Sequence, residues 1–244
     1  MQFLEQSSVT LRHMTIFRLK ELAVRGLHGA PPNVRWNYDR HELLADGVVH
    51  AIGLLAGLIA SIVLVVVACT FATPADIAAV SVYAAGLIAM LALSAIYNLF
   101  PVSRWKWILR RFDHSAIYVL IAATYTPFIA HMPLSVTSVA LMAGVWGVAA
   151  IGIILKLFFP GRFDRLAIVL YLAMGWSGVM VYDVIAEALP KLTLFLIAVG
   201  GVLYSAGVIF HVWERLRFQN AIWHGFVLLA ASCHYAAILD LIIV

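Results

Sequence analysis

The chain has 244 residues, 64% of them hydrophobic and 11% charged, with a mean hydropathy of +0.99. Soluble domains carry about 25% charged residues, so this composition excludes a water-facing globular surface and makes lipid the solvent. The net charge of +4 sits in short loops between apolar runs, a topology signal and a grip on anionic headgroups rather than a nucleic-acid footprint.

The first forty residues read as a cytoplasmic tail. Leu11–Leu27 mixes Arg and Lys with Leu, Ile, Phe and Val, which suits either a surface-lying amphipathic helix or a disordered tail. No cleavable signal peptide is expected, because no apolar run of the needed length opens the chain, and Met14 is a second candidate start.

A bilayer core needs about 20 apolar residues per helix. Runs of that kind are predicted near Gly47–Cys69, Ile77–Phe100, Ser115–Ala130, Ser135–Phe159, Leu166–Ala186, Leu192–Trp213 and Ile222–Val244. The third is the shortest, and Pro127 predicts a kink or an early end. Residues 41–244 therefore read as one all-α seven-transmembrane bundle without a soluble domain. Of the 16 Lys and Arg, six precede the first span, four follow the second, three follow the fourth and two follow the sixth. Only Lys191 lies on the other side, which predicts a cytoplasmic N-terminus and an outside C-terminus in an inner membrane. Cys69 and Cys233 fall inside apolar runs, where cysteine acts as a small hydrophobe.

Ionisable groups at membrane depth are costly and mark candidate sites. Glu42, Asp46 and His50 follow at i, i+4 and i+8, so they share one face of the first helix. Ser94 and Asn98 share a face at the end of the second. Asp113 and His114 open the third, and Asn220 and His224 open the seventh. All four sets fall at the cytoplasmic ends of their helices, so bundle packing can gather them into one cavity. Each also has a structural reading, such as Asp113 serving as a helix cap. His234 lies about 15 Å deeper than His224 and reads as a separate polar contact. His131 and His211 read as interfacial.

At these segments the sequence resembles the hemolysin III group of the progestin and adipoQ receptor superfamily, seven-helix proteins with a cytoplasmic N-terminus. The matching stretches are HELLADGVVHAIG (41–53), SAIYNLFP (94–101), RRFDHSAIYVLIAATYTPF (110–128), GGVLYSAGVIF (200–210) and NAIWHGFVLLAASCHYAAI (220–238). The resemblance implies a zinc ion held near the cytoplasmic side by three histidines. One lies four residues after a Ser in the second helix, and two form an HxxxH opening the seventh. An aspartate opening the third helix acts through the metal's water. Here Asn98 follows Ser94, and the HxxxH reads Asn220 to His224, so two imidazoles are replaced while Asp113 and His224 stand. An amide oxygen is a poor zinc ligand, so weak zinc or none is expected, with no other cofactor. His50, Asp46 and Asp113 could complete a set with His224. Alternatively, the Asn residues and acids form a hydrogen-bonded network without metal.

Three functions follow from the resemblance. The first is a role in membrane or lipid homeostasis, through a polar cavity that binds a lipid headgroup or conducts a small ion. The second is zinc-dependent hydrolysis of lipid amides, with Asp113 as base. The third is cytolysis, which seven spans suited to permanent residence do not favour. Membrane lipids are the expected partners; no nucleic acid is expected.

Overall fold

A computed structural model describes residues 38–244, apart from the side chain of Arg104. The Leu11–Leu27 helix and the Met14 start lie outside the described residues. Seven helices follow in chain order: α1 (Arg40–Phe71), α2 (Pro74–Leu99), α3 (Arg104–His131), α4 (Val136–Phe158), α5 (Asp164–Ala188), α6 (Lys191–Val212) and α7 (Gln219–Ile243). The protein is an all-α membrane protein. Six of these helices are long and apolar enough to span a bilayer. The exception, α3, carries a basic first half and the Thr124-Tyr125-Thr126-Pro127 run.

The helix starts are written locally. Asp39 caps α1 by accepting from the backbone N–H groups of His41 (2.8 Å) and Glu42 (2.9 Å), while the Glu42 carboxylate takes the Asp39 N–H in return. The Glu42 N–H, chiefly, holds the Asp39 carboxyl below its usual pKa. Thr73 with Pro74, Ser103, and Ser135 with Ser138 do the same for α2, α3 and α4.

Two expectations are corrected. α3 begins eleven residues before Ser115, because Ser103 caps it and the basic stretch Arg104–Arg111 is helical rather than loop. Pro127 does not end the helix, which continues to His131; sitting in the last turn, it removes only one late hydrogen bond. The fifth span is interrupted instead, by a 3-10 turn over Ser177–Val181. Gly178 N–H and the Ser177 hydroxyl there both reach the Tyr125 hydroxyl of α3.

The helices pack in chain order as a closed ring, α1 on α2, α2 on α3, α3 on α4, with α5 against α3, α4 and α6, and α7 against both α6 and α1. α3 also touches α7, which puts it at the centre. Close approach depends on small residues. A Cβ on Gly86 would lie 2.7 Å from that of Ala123, and one on Gly152 would enter the ring of Tyr118, itself 1% exposed. One apolar core joins α1, α2, α3 and α7 around Leu64, Tyr83, Leu87 and Ile238; a second joins α3, α4 and α5 around Tyr118, Val145 and Ala149.

The 32 residues of α1 run about 48 Å, well beyond a hydrocarbon core of about 30 Å. The charged first turn of α1, Arg40, His41 and Glu42, suits the headgroup level. The same end of the bundle gathers the basic loops and is called the basic end below. There the Asp164 carboxylate accepts from Arg110 (2.9 Å) and from Lys156 (2.6 Å), tying α3, α4 and α5 together.

Candidate functional site: a polar cleft at the basic end

The i, i+4, i+8 spacing on α1 turns Glu42, Asp46 and His50 inward, where they are 7%, 3% and 6% exposed. Their roles then diverge. One Glu42 oxygen closes the α1 capping box, and the other accepts the N–H of Phe218 at 3.1 Å. Phe218 holds a left-handed backbone (φ 59°) immediately before α7, which has no side-chain cap of its own. Glu42, helped by the Arg217–Asp39 pair at 3.6 Å, therefore fixes where α7 starts and so where Asn220 and His224 stand.

One turn deeper, His224 Nδ1 donates to Asp46 Oδ1 at 2.6 Å, and the second carboxylate oxygen lies 3.6 Å from His50 Nε2. The two imidazole rings lie 4.4 Å apart between centroids. Each of the three residues offers one ligand atom, and these atoms fall within 4.8 Å of one another. His50 Nε2 is buried and has no hydrogen-bond partner. A buried nitrogen whose nearest acceptor lies at 3.6 Å has a lone pair or proton available to a water or a metal.

Asp113, 8% exposed, lies near Ser94 and within electrostatic reach of His224, His50 and Arg110. Ser94 in turn accepts from Asn98 Nδ2, at its carbonyl (2.9 Å) and hydroxyl (3.4 Å). Asn98 and Asn220 both line a cleft of ≈ 480 Å³ with Asp46, and Tyr38 donates to Asn220 Oδ1 at 3.3 Å. The four helix ends thus bring together Asp46, His50, Ser94, Asn98, Asp113, Asn220 and His224. His114 does not join them. Its ring meets the edge of Tyr97 and its carbonyl accepts the Tyr171 hydroxyl at 2.8 Å.

The family pattern retains only His224 and Asp113 as metal candidates, with Asp46 and His50 as possible replacements; the structure groups His224 with Asp46 and His50. It also reveals Lys106, which counted only as a topology residue. Lys106 is 7% exposed, lines the cleft, and donates to the carbonyls of Asn98 (2.9 Å) and Phe100 (2.8 Å). No signal in one sequence could find it, because its burial follows from the unpredicted helical turns of Arg104–Arg111. The remaining histidines lie apart: His234 donates to the Ala230 carbonyl and leans on Tyr204, while His211 packs on Trp223. Cys69 and Cys233 are free thiols.

Donor chemistry fits a metal here. Two imidazoles and a carboxylate are a normal set for zinc, whose bonds run about 2.0–2.2 Å. The 2.6 Å Asp46–His224 separation is that of a shared proton, so metal would enter by displacing it.

The profile of a family described as Haemolysin-III related matches residues 38–235. The chain is 34% identical over 198 residues to a "Hemolysin-3 homolog" of Bacillus subtilis (strain 168), covering 81% of this chain and 93% of that protein. It is 34% identical to "Hemolysin-3" of Bacillus cereus, over 81% and 90% of the two chains. With the human "Monocyte to macrophage differentiation factor" it shares 30% identity over 86% of this chain and 89% of the other. No solved structure matches.

Proposed function

This chain belongs to the haemolysin-III related family, within the progestin and adipoQ receptor superfamily, and from that premise we propose that it serves membrane homeostasis by handling lipid headgroups at its basic-end cleft, with a divalent metal held by Asp46, His50 and His224. One observation carries the reading: three metal-compatible side chains from α1 and α7 converge on one point, with Asp46 lining the cleft, and the buried His50 Nε2 makes no hydrogen bond there, only a 3.6 Å approach to Asp46. In the family pattern Asn98 and Asn220 stand where two imidazoles are expected, and His50 with Asp46 offers a replacement pair from α1.

The chain's own groups have distinct parts in this scheme. His50 and His224 supply lone pairs, and Asp46 either joins them or orients His224 through Nδ1. A divalent ion held there would supply a Lewis acid beside the cleft that Asp46 lines. Asp113, buried within electrostatic reach of His224 and His50, is the group able to take a proton, which favours hydrolysis of a lipid amide as a second reading. The lytic activity named for the Bacillus cereus relative has no counterpart among these observations. By the positive-inside rule the basic end is cytoplasmic.

Elemental analysis of the detergent-purified chain after a mild chelator wash tests the metal. The expected result is about one zinc per chain, as for a three-ligand site with an open fourth position, and a tenth of that or less in His50→Ala and His224→Ala. A metal-free parent would leave only the hydrogen-bonded network and remove hydrolysis from consideration.

A further inference from the structure

The cleft has two unlike walls. The inner wall is polar, with Asp46, Asn98 and Lys106. The outer wall is apolar and lies on the bundle's own surface: Leu44, Val48 and Leu99 are 66%, 51% and 54% exposed. In a bilayer such surface touches acyl chains, so the cleft opens sideways between α1 and α2 into the leaflet at the basic end. Charge follows the same division. Lys106 spends two of its three N–H donors on the carbonyls that end α2, and among the described residues no carboxylate lies within 4 Å of its ammonium. Arg40 adds a second cation at the mouth, whereas the Asp46 charge is already engaged by two histidines.

We propose that this cleft admits an anionic phospholipid sideways from the leaflet, its phosphate held by Lys106 and Arg40 and its first acyl carbons lying along Leu44, Val48 and Leu99. The inference rests on the reading of the cleft as a headgroup site and names its ligand class. Zwitterionic lipids bring their own cation to the phosphate and gain less from Lys106. A water-soluble phosphate meets the same two cations but forgoes the apolar wall.

Native mass spectrometry of the purified full-length protein in mild detergent, titrated with phosphatidylglycerol or phosphatidylcholine, provides the test. The parent should hold phosphatidylglycerol about tenfold more tightly, the worth of one charge-assisted hydrogen bond, and Lys106→Gln should erase the difference. Because Lys106 also braces α2, Ala51→Trp is the independent variant: it plugs the lateral mouth from an exposed position on α1 and should remove the tight adduct with Lys106 intact. Glycerol 1-phosphate at millimolar concentration should not displace the lipid; if it does, the site takes free phosphates and the lateral route is wrong. An unchanged lipid preference in both variants also overturns the proposal. Zinc measured on the same samples separates the two readings. A zinc-loaded parent without lipid preference sinks this inference alone, and a metal-free parent with the preference sinks the metal centre alone.

Discussion

The polar residues of the bundle divide by what their second hydrogen-bonding atom does. Glu42 uses both carboxylate oxygens on backbone N–H groups and is a positioning residue, despite sharing the helical face of Asp46 and His50. Asp46 and His224 share a 2.6 Å hydrogen bond, while His50 Nε2 stands 3.6 Å from the other Asp46 oxygen and makes no hydrogen bond. That nitrogen makes restoration of the family ligand pattern a sharp experiment. Asn98 and Asn220 already line the cleft beside Asp46, so Asn98→His with Asn220→His adds imidazoles to an existing polar wall. The double variant should release zinc to a competing chelator about tenfold more slowly than the parent, as expected for added imidazole ligands. Release at the parent's rate would mean that the side chains at 98 and 220 do not face the trio. That polar residues gather at these four helix ends was legible from spacing, because polar groups at membrane depth are costly, though Glu42 and His114 turn to structural partners instead. The pairing of His224 with Asp46 was not, since it joins residues 178 apart.

Packing between helices is where single atoms decide. Gly152 lets α4 lie against the buried ring of Tyr118, and a Cβ there has no room. Gly147, on the same helix, has nothing within 4 Å of a built Cβ. Thermal unfolding in detergent should therefore show Gly152→Ala destabilised by about 1–3 kcal/mol, the usual cost of overpacking, with Gly147→Ala within about 1 kcal/mol of the parent. Equal melting temperatures would show that Tyr118 moves aside without cost. At this scale all seven helices follow from apolar runs, but the extent of α3 does not. Its basic first half looked like loop because hydropathy reports burial in lipid, whereas Lys106 is buried against the α2 terminus and Arg110 against Asp164. Pro127 misled for a related reason: a proline matters by how many hydrogen bonds lie beyond it, and here few do.

For the whole molecule, the testable quantity is orientation. In a background lacking Cys69 and Cys233, single cysteines at Pro74 or Lys191 should react with an impermeant maleimide in intact cells. A cysteine at Arg162 should react only after permeabilisation. Labelling of Arg162 in intact cells would invert the bundle and turn the cleft outward. By itself the sequence determined that the solvent is lipid, that the chain crosses it as helices, and that the costly polar residues gather at one end. Those properties are sums over local composition, and periodicity exposes them. Only the tertiary structure decided which of those residues touch. A helix rotation of one residue swings a side chain by about 100°, so convergence of α1 and α7 on Asp46, His50 and His224 depends on packing and on Glu42 holding Phe218. The lateral opening between α1 and α2 is likewise a property of the assembled ring, written in no single helix.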